Sequence, residues 1–470
     1  MRKIFKDVFY QACFQVVNVL FPVLTIPIVS RALGVENIGF LRFSQSIVAY
    51  VVLVAALGRS NYAIREIAYV KDNKDLRSEK FWELQRFNMI FSLPIFSAYL
   101  ITTLLSNQNI LYLIQSLVIL AVVFDINWFF QGIEAFKKIA FVNLLIKSIS
   151  LCCIILLINS PEDLWIYALI LSLSGIISVM ILWIPLFKYI SYKKCRFKVA
   201  WTHFPSAFNF FLLKLSAIIF VNANATALGL FSTMTSVGYF SNAIKIVIIL
   251  GTLLSAINQV LLPKMSYLER KNQGEKVIEV LQKTIHLQLF LTIAMMFGII
   301  AISNHLIVWF LGEDFYYVKN LIPLLAPIII FQQLHQSIAD QYLVPKNEMK
   351  LYNITMIIGT IINVVICLIL IPFIDVYGAV FGFLLGQIFL GISRAAILVK
   401  KSCFKFNWLR IGKWFFSGLM MLTCITFFTR EMSSTFITTL IQTLIGIVIY
   451  SGITIILKEN PIYQLFRQNK

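Results

Sequence analysis

Charge is the scarcest ingredient of this chain. Only 13% of its 470 residues are Asp, Glu, Lys or Arg, against roughly 25% in an ordinary soluble domain. Acids are rarer than bases, 21 Asp and Glu against 40 Lys and Arg. The four His residues are scattered, none at the i, i+4 spacing of a helical metal pair, and no C-x-x-C occurs, so no metal centre is expected. Cys13, Cys152, Cys153, Cys367 and Cys424 fall in apolar runs, and Cys195 and Cys403 in basic connections. That placement excludes a disulfide framework. The glycine-rich loop G-x-x-x-x-G-K followed by Ser or Thr is absent, which excludes ATP use by that route.

What is present is apolar. The hydrophobic set makes up 59% of the residues and the mean hydropathy is +0.85, which excludes a soluble globule. A membrane-spanning helix needs about 20 apolar residues. Apolar runs bounded by charge or turn residues lie near 8–30, 38–58, 87–106, 110–132, 140–158, 164–187, 204–229, 237–262, 284–311, 319–344, 351–371, 378–399, 413–429 and 436–457. The expected fold is therefore all-α, a polytopic membrane protein of about fourteen transmembrane helices. The basic start leads into a run too long for a signal-peptide core and directly followed by another, so it reads as an uncleaved first helix.

The net charge of +19 does not point to nucleic acid, because the cations lie in short connections between apolar runs. On the side of the N-terminus stand 32 Lys and Arg, against three on the other side, Arg31, Lys319 and Arg430. By the positive-inside rule both termini are expected in the cytoplasm of a multi-pass plasma-membrane protein. The longest inner segments, Arg59 to Arg86 and Lys264 to Lys283, carry apolar residues at helical spacing and read either as interfacial helices or as amphipathic connectors.

A weak internal echo suggests two halves. Leu33-Gly34 followed by Ile38-Gly39-Phe40 is matched by Leu228-Gly229 followed by Val237-Gly238-Tyr239, the glycines serving tight turns. This divides the chain into a lobe at 1–187 (spans 1–6), a cytoplasmic linker at 188–203, a lobe at 204–399 (spans 7–12), a cytoplasmic loop at 400–412, and two additional spans with a tail at 413–470. Gly378, Gly382 and Gly386 permit close helix approach within the protein.

Five cations fall inside spans: Arg42, Lys147, Lys214, Lys245 and Arg394. A charge in the bilayer core is costly unless it meets water, a partner or a ligand. Lys245 and Lys147 lie about 10 Å from a helix end and Lys214 about 15 Å, a depth that favours an aqueous cavity over snorkelling. Arg394 is placed to snorkel, and Arg42, with Arg31 at the end of span 1, can face a cavity or snorkel. Two acids, Asp125 in span 4 and Asp340 in span 10, occupy equivalent helices and are candidates for ion coupling. Asp125 heads a polar stripe with Asn127, Trp128 and Gln131, the expected polar lining. A cavity with this balance suits an anionic cargo; Arg binds diphosphate by paired hydrogen bonds and Lys as a point charge. Pro22, Pro27, Pro94, Pro323 and Pro327 are expected helix breaks.

Several strings resemble the polysaccharide repeat-unit flippases of the Wzx type, a branch of the multidrug/oligosaccharidyl-lipid/polysaccharide (MOP) exporter superfamily. They are PVLTIPIVSRALGVENIG (22–39), YAIREIA (62–68), DINWFFQGIEAFKK (125–138), VGYFSNAIK (237–245), VLLPK (260–264), FLG (310–312) and YLVPKNEMK (342–350). The resemblance implies two six-helix lobes in a V around a cationic cavity, with two extra C-terminal helices. It implies a transporter rather than an enzyme. The cargo would be an undecaprenyl-diphosphate-linked oligosaccharide, moved to the outer leaflet by alternating access and driven by H⁺ or Na⁺, with no other cofactor. By the same resemblance Arg31, Lys147, Lys214 and Lys245 match cavity cations, and a polysaccharide polymerase and chain-length regulator are expected partners, serving capsule, exopolysaccharide or O-antigen. A multidrug exporter of the superfamily is the rival reading, although its usually cationic cargo calls for deep acids. A membrane polymerase or glycosyltransferase is disfavoured, because the outer acids Glu162, Asp163, Glu313, Asp314, Asp375 and Glu431 lie in tiny turns.

Overall fold

A computed structural model describes residues 2–106, 110–194, 201–461, 463 and 464, without the side chains of 2–19, 209 and 213. Cys195, the side chain of Cys13 and the middle of the expected linker, 195–200, lie outside the described residues. The chain divides into two compact units, Met1–Gly229 and Leu230–Lys470. Among the described residues all regular structure is helical. Apolar side chains such as Leu105, Phe373 and Phe427 are about four-fifths exposed, as lipid-facing residues must be in a chain without polar surface to cover it.

The first unit holds α1 (Arg2–Ala56), α2 (Arg59–Val70), α3 (Lys74–Leu105), α4 (Ile110–Phe124), α5 (Asn127–Gly132), α6 (Phe136–Leu157), α7 (Leu164–Leu186) and α8 (Phe204–Phe231). The second holds α9 (Met234–Arg270), α10 (Gly274–Leu311), α11 (Val318–Leu325), α12 (Ile328–Ile338), α13 (Met349–Ile374), α14 (Val376–Lys401), α15 (Trp408–Phe428) and α16 (Phe436–Ile456). Among the described residues, twelve helices are long and apolar enough to cross a membrane, or thirteen when the bent pair α11–α12 counts as one. The expected fourteen is not reached by this count. The runs expected at 8–30 and 38–58 form the single helix α1, interrupted at Gly34 (φ 74°, ψ 171°).

Span 4 breaks where no proline stands. Helix α4 stops at Phe124 and α5 starts at Asn127, leaving terminal carbonyls without intrahelical donors. Side chains from neighbouring helices supply them. Gln85 Nε2 donates to the Val123 carbonyl at 2.9 Å, Asn88 Nδ2 to Val122 at 3.0 Å and Val123 at 2.7 Å, and Trp183 Nε1 to Phe124 at 2.9 Å. In lipid this substitution is what makes a broken helix tolerable. An aromatic core of Phe81, Phe87, Trp128, Phe129 and Phe130 surrounds the break, with Phe81 stacked on Trp128 at 5.4 Å.

Of the prolines, Pro327 marks the real bend, 41° between α11 and α12. Pro22, Pro27 and Pro94 stay inside continuous helices. Helix α12 runs on into a π-helical turn, Ala339–Leu343.

The glycine stripe behaves as expected. A Cβ on Gly378 would stand 2.5 Å from the Ile371 amide nitrogen, and one on Gly382 2.8 Å from the Asn363 carbonyl, so α14 packs backbone to backbone on α13. The glycine echo needs correction. Gly34 does carry a positive φ, but Gly229 is helical within α8 and is small because the Phe43 ring lies 2.0 Å from where its Cβ would be. Of the two inner segments, 59–70 is a helix of its own, whereas 264–283 is only the continuation of α9 and α10 around a short turn.

The first compact unit runs to Gly229 and includes α8. Gly58 explains the fit: its φ is +68°, and an added Cβ would meet the Phe211 nitrogen at 2.2 Å and the Ala207 carbonyl at 2.5 Å.

Candidate functional site

Gly58 ends one helix and Arg59 begins the next, and that turn carries a cation inward. Arg59 is 1% exposed. Its Nη2 donates to Asp125 Oδ2 at 3.4 Å, and its guanidinium lies 6.0 Å from the Trp128 ring centroid. Nε and Nη1 have no hydrogen-bond partner among the described residues. Buried guanidinium N–H groups without acceptors are costly.

Asp125 occupies the gap between α4 and α5. Its Oδ1 accepts the Asn127 amide at 3.0 Å and Asn127 Nδ2 at 2.8 Å, and its carbonyl accepts Trp128 Nε1 at 2.8 Å. The carboxylate thus caps α5, and its other oxygen meets Arg59. Lys214, half-buried on α8, feels the charges of both Asp125 and Arg59. Two cations against one carboxylate leave the cluster net positive.

The structure therefore gathers Asp125, Asn127 and Lys214 of the expected residues around Arg59. Trp128, expected on a polar wall, is buried in the aromatic core instead. Gln131 is half-buried on α5. Arg42 bonds Asn222 Oδ1 at 3.2 Å, about 12 Å farther along α8 than Lys214. Lys147 sits over the Phe21 ring at 5.6 Å. Arg31 is exposed at a depression of about 320 Å³ shared with Pro27 and Asn159.

In the second unit, Lys245 is exposed on α9, and Asp340 is half-buried in the π turn within the field of Arg394. Arg394 does not snorkel. It is 1% exposed, donating to Thr355 Oγ1 at 3.1 Å, the His335 carbonyl at 3.2 Å and the Tyr352 carbonyl at 3.3 Å, with its guanidinium 4.5 Å from the Tyr352 ring.

Sequence reasoning missed Arg59, counting it among inner-loop cations; the Gly-Arg pair closing an apolar run was the available signal. It also missed a buried cluster in which Tyr62 OH lies 2.8 Å from His203 Nδ1, His203 Nε2 3.4 Å from Glu83 Oε2, and Lys80 2.7 Å from that same oxygen.

Long apolar helices with broken spans define a multi-pass membrane fold, and solved structures share it. The lipid II flippase MurJ superposes with a TM-score of 0.72 at 16% identity, covering 96% of this chain and 98% of its own. A multidrug resistance MATE family transporter of the MOP superfamily gives 0.63 at 14% identity, covering 87% and 95%.

Residues 4–269 match the polysaccharide biosynthesis protein family, and the chain belongs to it. A protein of Escherichia coli K12 named as an O-antigen transporter is 28% identical over 56% of this chain and 64% of its own length. One of Shigella dysenteriae with the same name is 22% identical over 79% and 94%. The low-salt glycan biosynthesis flippase Agl15 of Haloferax volcanii is 25% identical over 51% and 52%. The match thus spans less than two thirds of the Escherichia coli and Haloferax relatives.

Proposed function

We propose that this protein is a flippase of the bacterial cytoplasmic membrane, with both termini in the cytoplasm, that carries an undecaprenyl-diphosphate-linked oligosaccharide to the outer leaflet. The observation that carries this reading is Arg59, buried with two nitrogens lacking acceptors beside Asp125 and Lys214. A diphosphate supplies the missing acceptors: its oxygens match the guanidinium fork and attract the lysine ammonium. The relatives named as O-antigen transporters and a glycan flippase support the glycan part.

Alternating access between the proposed lobes 1–187 and 204–399, coupled to H⁺ or Na⁺, completes the reading, with α1 crossing twice about Gly34. Asp125 and Asp340, each at an irregular point of a helix, are the proposed coupling acids. A polysaccharide polymerase and a chain-length regulator are proposed as neighbours in the membrane. The multidrug exporter reading is weaker, since the buried cluster carries the charge of its usual cargo.

The decisive experiment places the purified protein alone in proteoliposomes with a fluorescent undecaprenyl-diphosphate oligosaccharide, with and without a pH or Na⁺ gradient. Transfer between leaflets, accelerated by one gradient, is expected. A folded protein that leaves the lipid in its original leaflet overturns the reading.

A further inference from the structure

A lipid-linked glycan presents a sugar as well as a diphosphate, and the second unit holds a cluster suited to the sugar. Three helix starts meet there, those of α9, α11 and α14, and they bring Tyr239, Tyr317 and Tyr377 together. The rings of Tyr239 and Tyr317 are 5.1 Å apart at 39°, those of Tyr317 and Tyr377 6.2 Å apart at 67°. The Tyr377 hydroxyl also acts electrostatically on Tyr317. Gly312 (φ +104°) turns the chain out of α10, and buried Phe315, edge-on to Tyr239 at 6.5 Å, anchors the turn that delivers Tyr317.

An acid completes the group. Asp375 is exposed, accepts hydroxyl hydrogen bonds from Ser232 and, at 2.8 Å, from Ser236, and acts electrostatically on Tyr317. Its backbone, φ +50° and ψ −126°, lies where residues with a Cβ are strained. Such strain persists where surroundings enforce it, commonly at ligand sites. Burial first, then the neighbouring Tyr377 hydroxyl and the charge of Asp375, push the Tyr317 phenol up to about 12, so it stays a neutral donor at physiological pH.

Tyrosines that only anchor a protein at the bilayer edge present each ring to the headgroup region. These rings lie against one another beside an exposed carboxylate, which acyl chains disfavour. A pyranose ring fits both features. Its C–H face packs on an aromatic ring, while its rim of hydroxyls donates to a carboxylate and pairs with phenols.

We propose that Tyr239, Tyr317, Tyr377 and Asp375 form a sugar-binding subsite for a pyranose ring of the cargo. The proposal rests on the glycan-lipid reading above and adds to it the residues that sense the sugar.

The test uses the full chain in nanodiscs with three probes: undecaprenyl diphosphate bearing N-acetylglucosamine, the same lipid bearing galactose, and the sugar-free lipid. The unaltered protein is expected to bind one sugar-bearing lipid about tenfold more tightly than the sugar-free one. Tyr239→Ala and Tyr377→Ala should remove that preference and leave sugar-free binding unchanged. Tyr377→Phe and Asp375→Asn, which preserve shape, should each reduce it and decide the matter if the alanine variants do not fold. Preference retained in all folded variants, or equal binding of the three probes by the unaltered protein, overturns the subsite alone. Binding of none of them overturns the glycan-lipid reading as well.

Discussion

Arg59 and Asp125, 66 residues apart in sequence, meet through a single guanidinium nitrogen, Nη2 to Oδ2 at 3.4 Å. Removing one partner of a buried ion pair costs about 3–5 kcal/mol, because the other charge is stranded. Asp125→Ala strands Arg59 and also deletes the cap of α5, whereas Asp125→Asn retains an oxygen for the Asn127 amide. Thermal unfolding in detergent should show a larger fall for Ala than for Asn. Equal falls would mean that the bond to the Asn127 amide contributes nothing beyond the charge.

Lys214→Ala and Lys245→Ala are expected to abolish glycan-lipid transfer at matched membrane levels while leaving insertion intact, and Lys→Arg at either position to retain part of it. The two sites differ in setting: Lys214 is half-buried beside Asp125 and Arg59, and Lys245 is exposed on α9. Normal export by both alanine variants would remove the case for cationic recognition.

Gly58→Ala should be severely destabilising. The positive φ alone costs roughly 1–2 kcal/mol for a residue with a Cβ, and the methyl would meet the Phe211 nitrogen at 2.2 Å and the Ala207 carbonyl at 2.5 Å. These are backbone atoms and do not swing away. Ala at Gly175, inside α7 with nothing within 4 Å of an added Cβ, is the matched control and should unfold no lower than the unaltered protein.

Asn88→Leu keeps the side-chain bulk but leaves the Val122 carbonyl without its Asn88 donor and Val123 dependent on Gln85 alone. The single variant leaves Val122 with the Asp125 amide at 3.3 Å and loses only the Asn88 bonds, whereas the double variant strands Val123, at about 1–3 kcal/mol. Unfolding by denaturing detergent should come at lower concentration for the Leu variant, and lower still for Asn88→Leu with Gln85→Leu. A double variant no worse than the single would refute the capping role.

Much of the architecture was legible because apolar run length and small-residue spacing are local properties. The contact of Gly378 and Gly382 with α13 and the bend at Pro327 follow from residues that act where they stand. The break at Asp125 was not legible, since its support comes from Gln85, Asn88 and Trp183 on other helices. The same limit hid Arg59 and Arg394, because a cation near a run's end reads as a topology marker until its acceptors are known. Lys214 and Asp125 were singled out by depth, and their neighbourhood through Arg59 appears only in three dimensions.

The interruption after Phe124 also bears on how the protein is made. Gln85 and Asn88 leave the ribosome before the carbonyls they satisfy, but Trp183 follows Phe124 by 59 residues. During synthesis α4 therefore enters the bilayer beside α3 with its end only partly satisfied. The Phe124 carbonyl must hold water or a transient donor until α7 is threaded, so α7 is the helix whose arrival completes the support of the break.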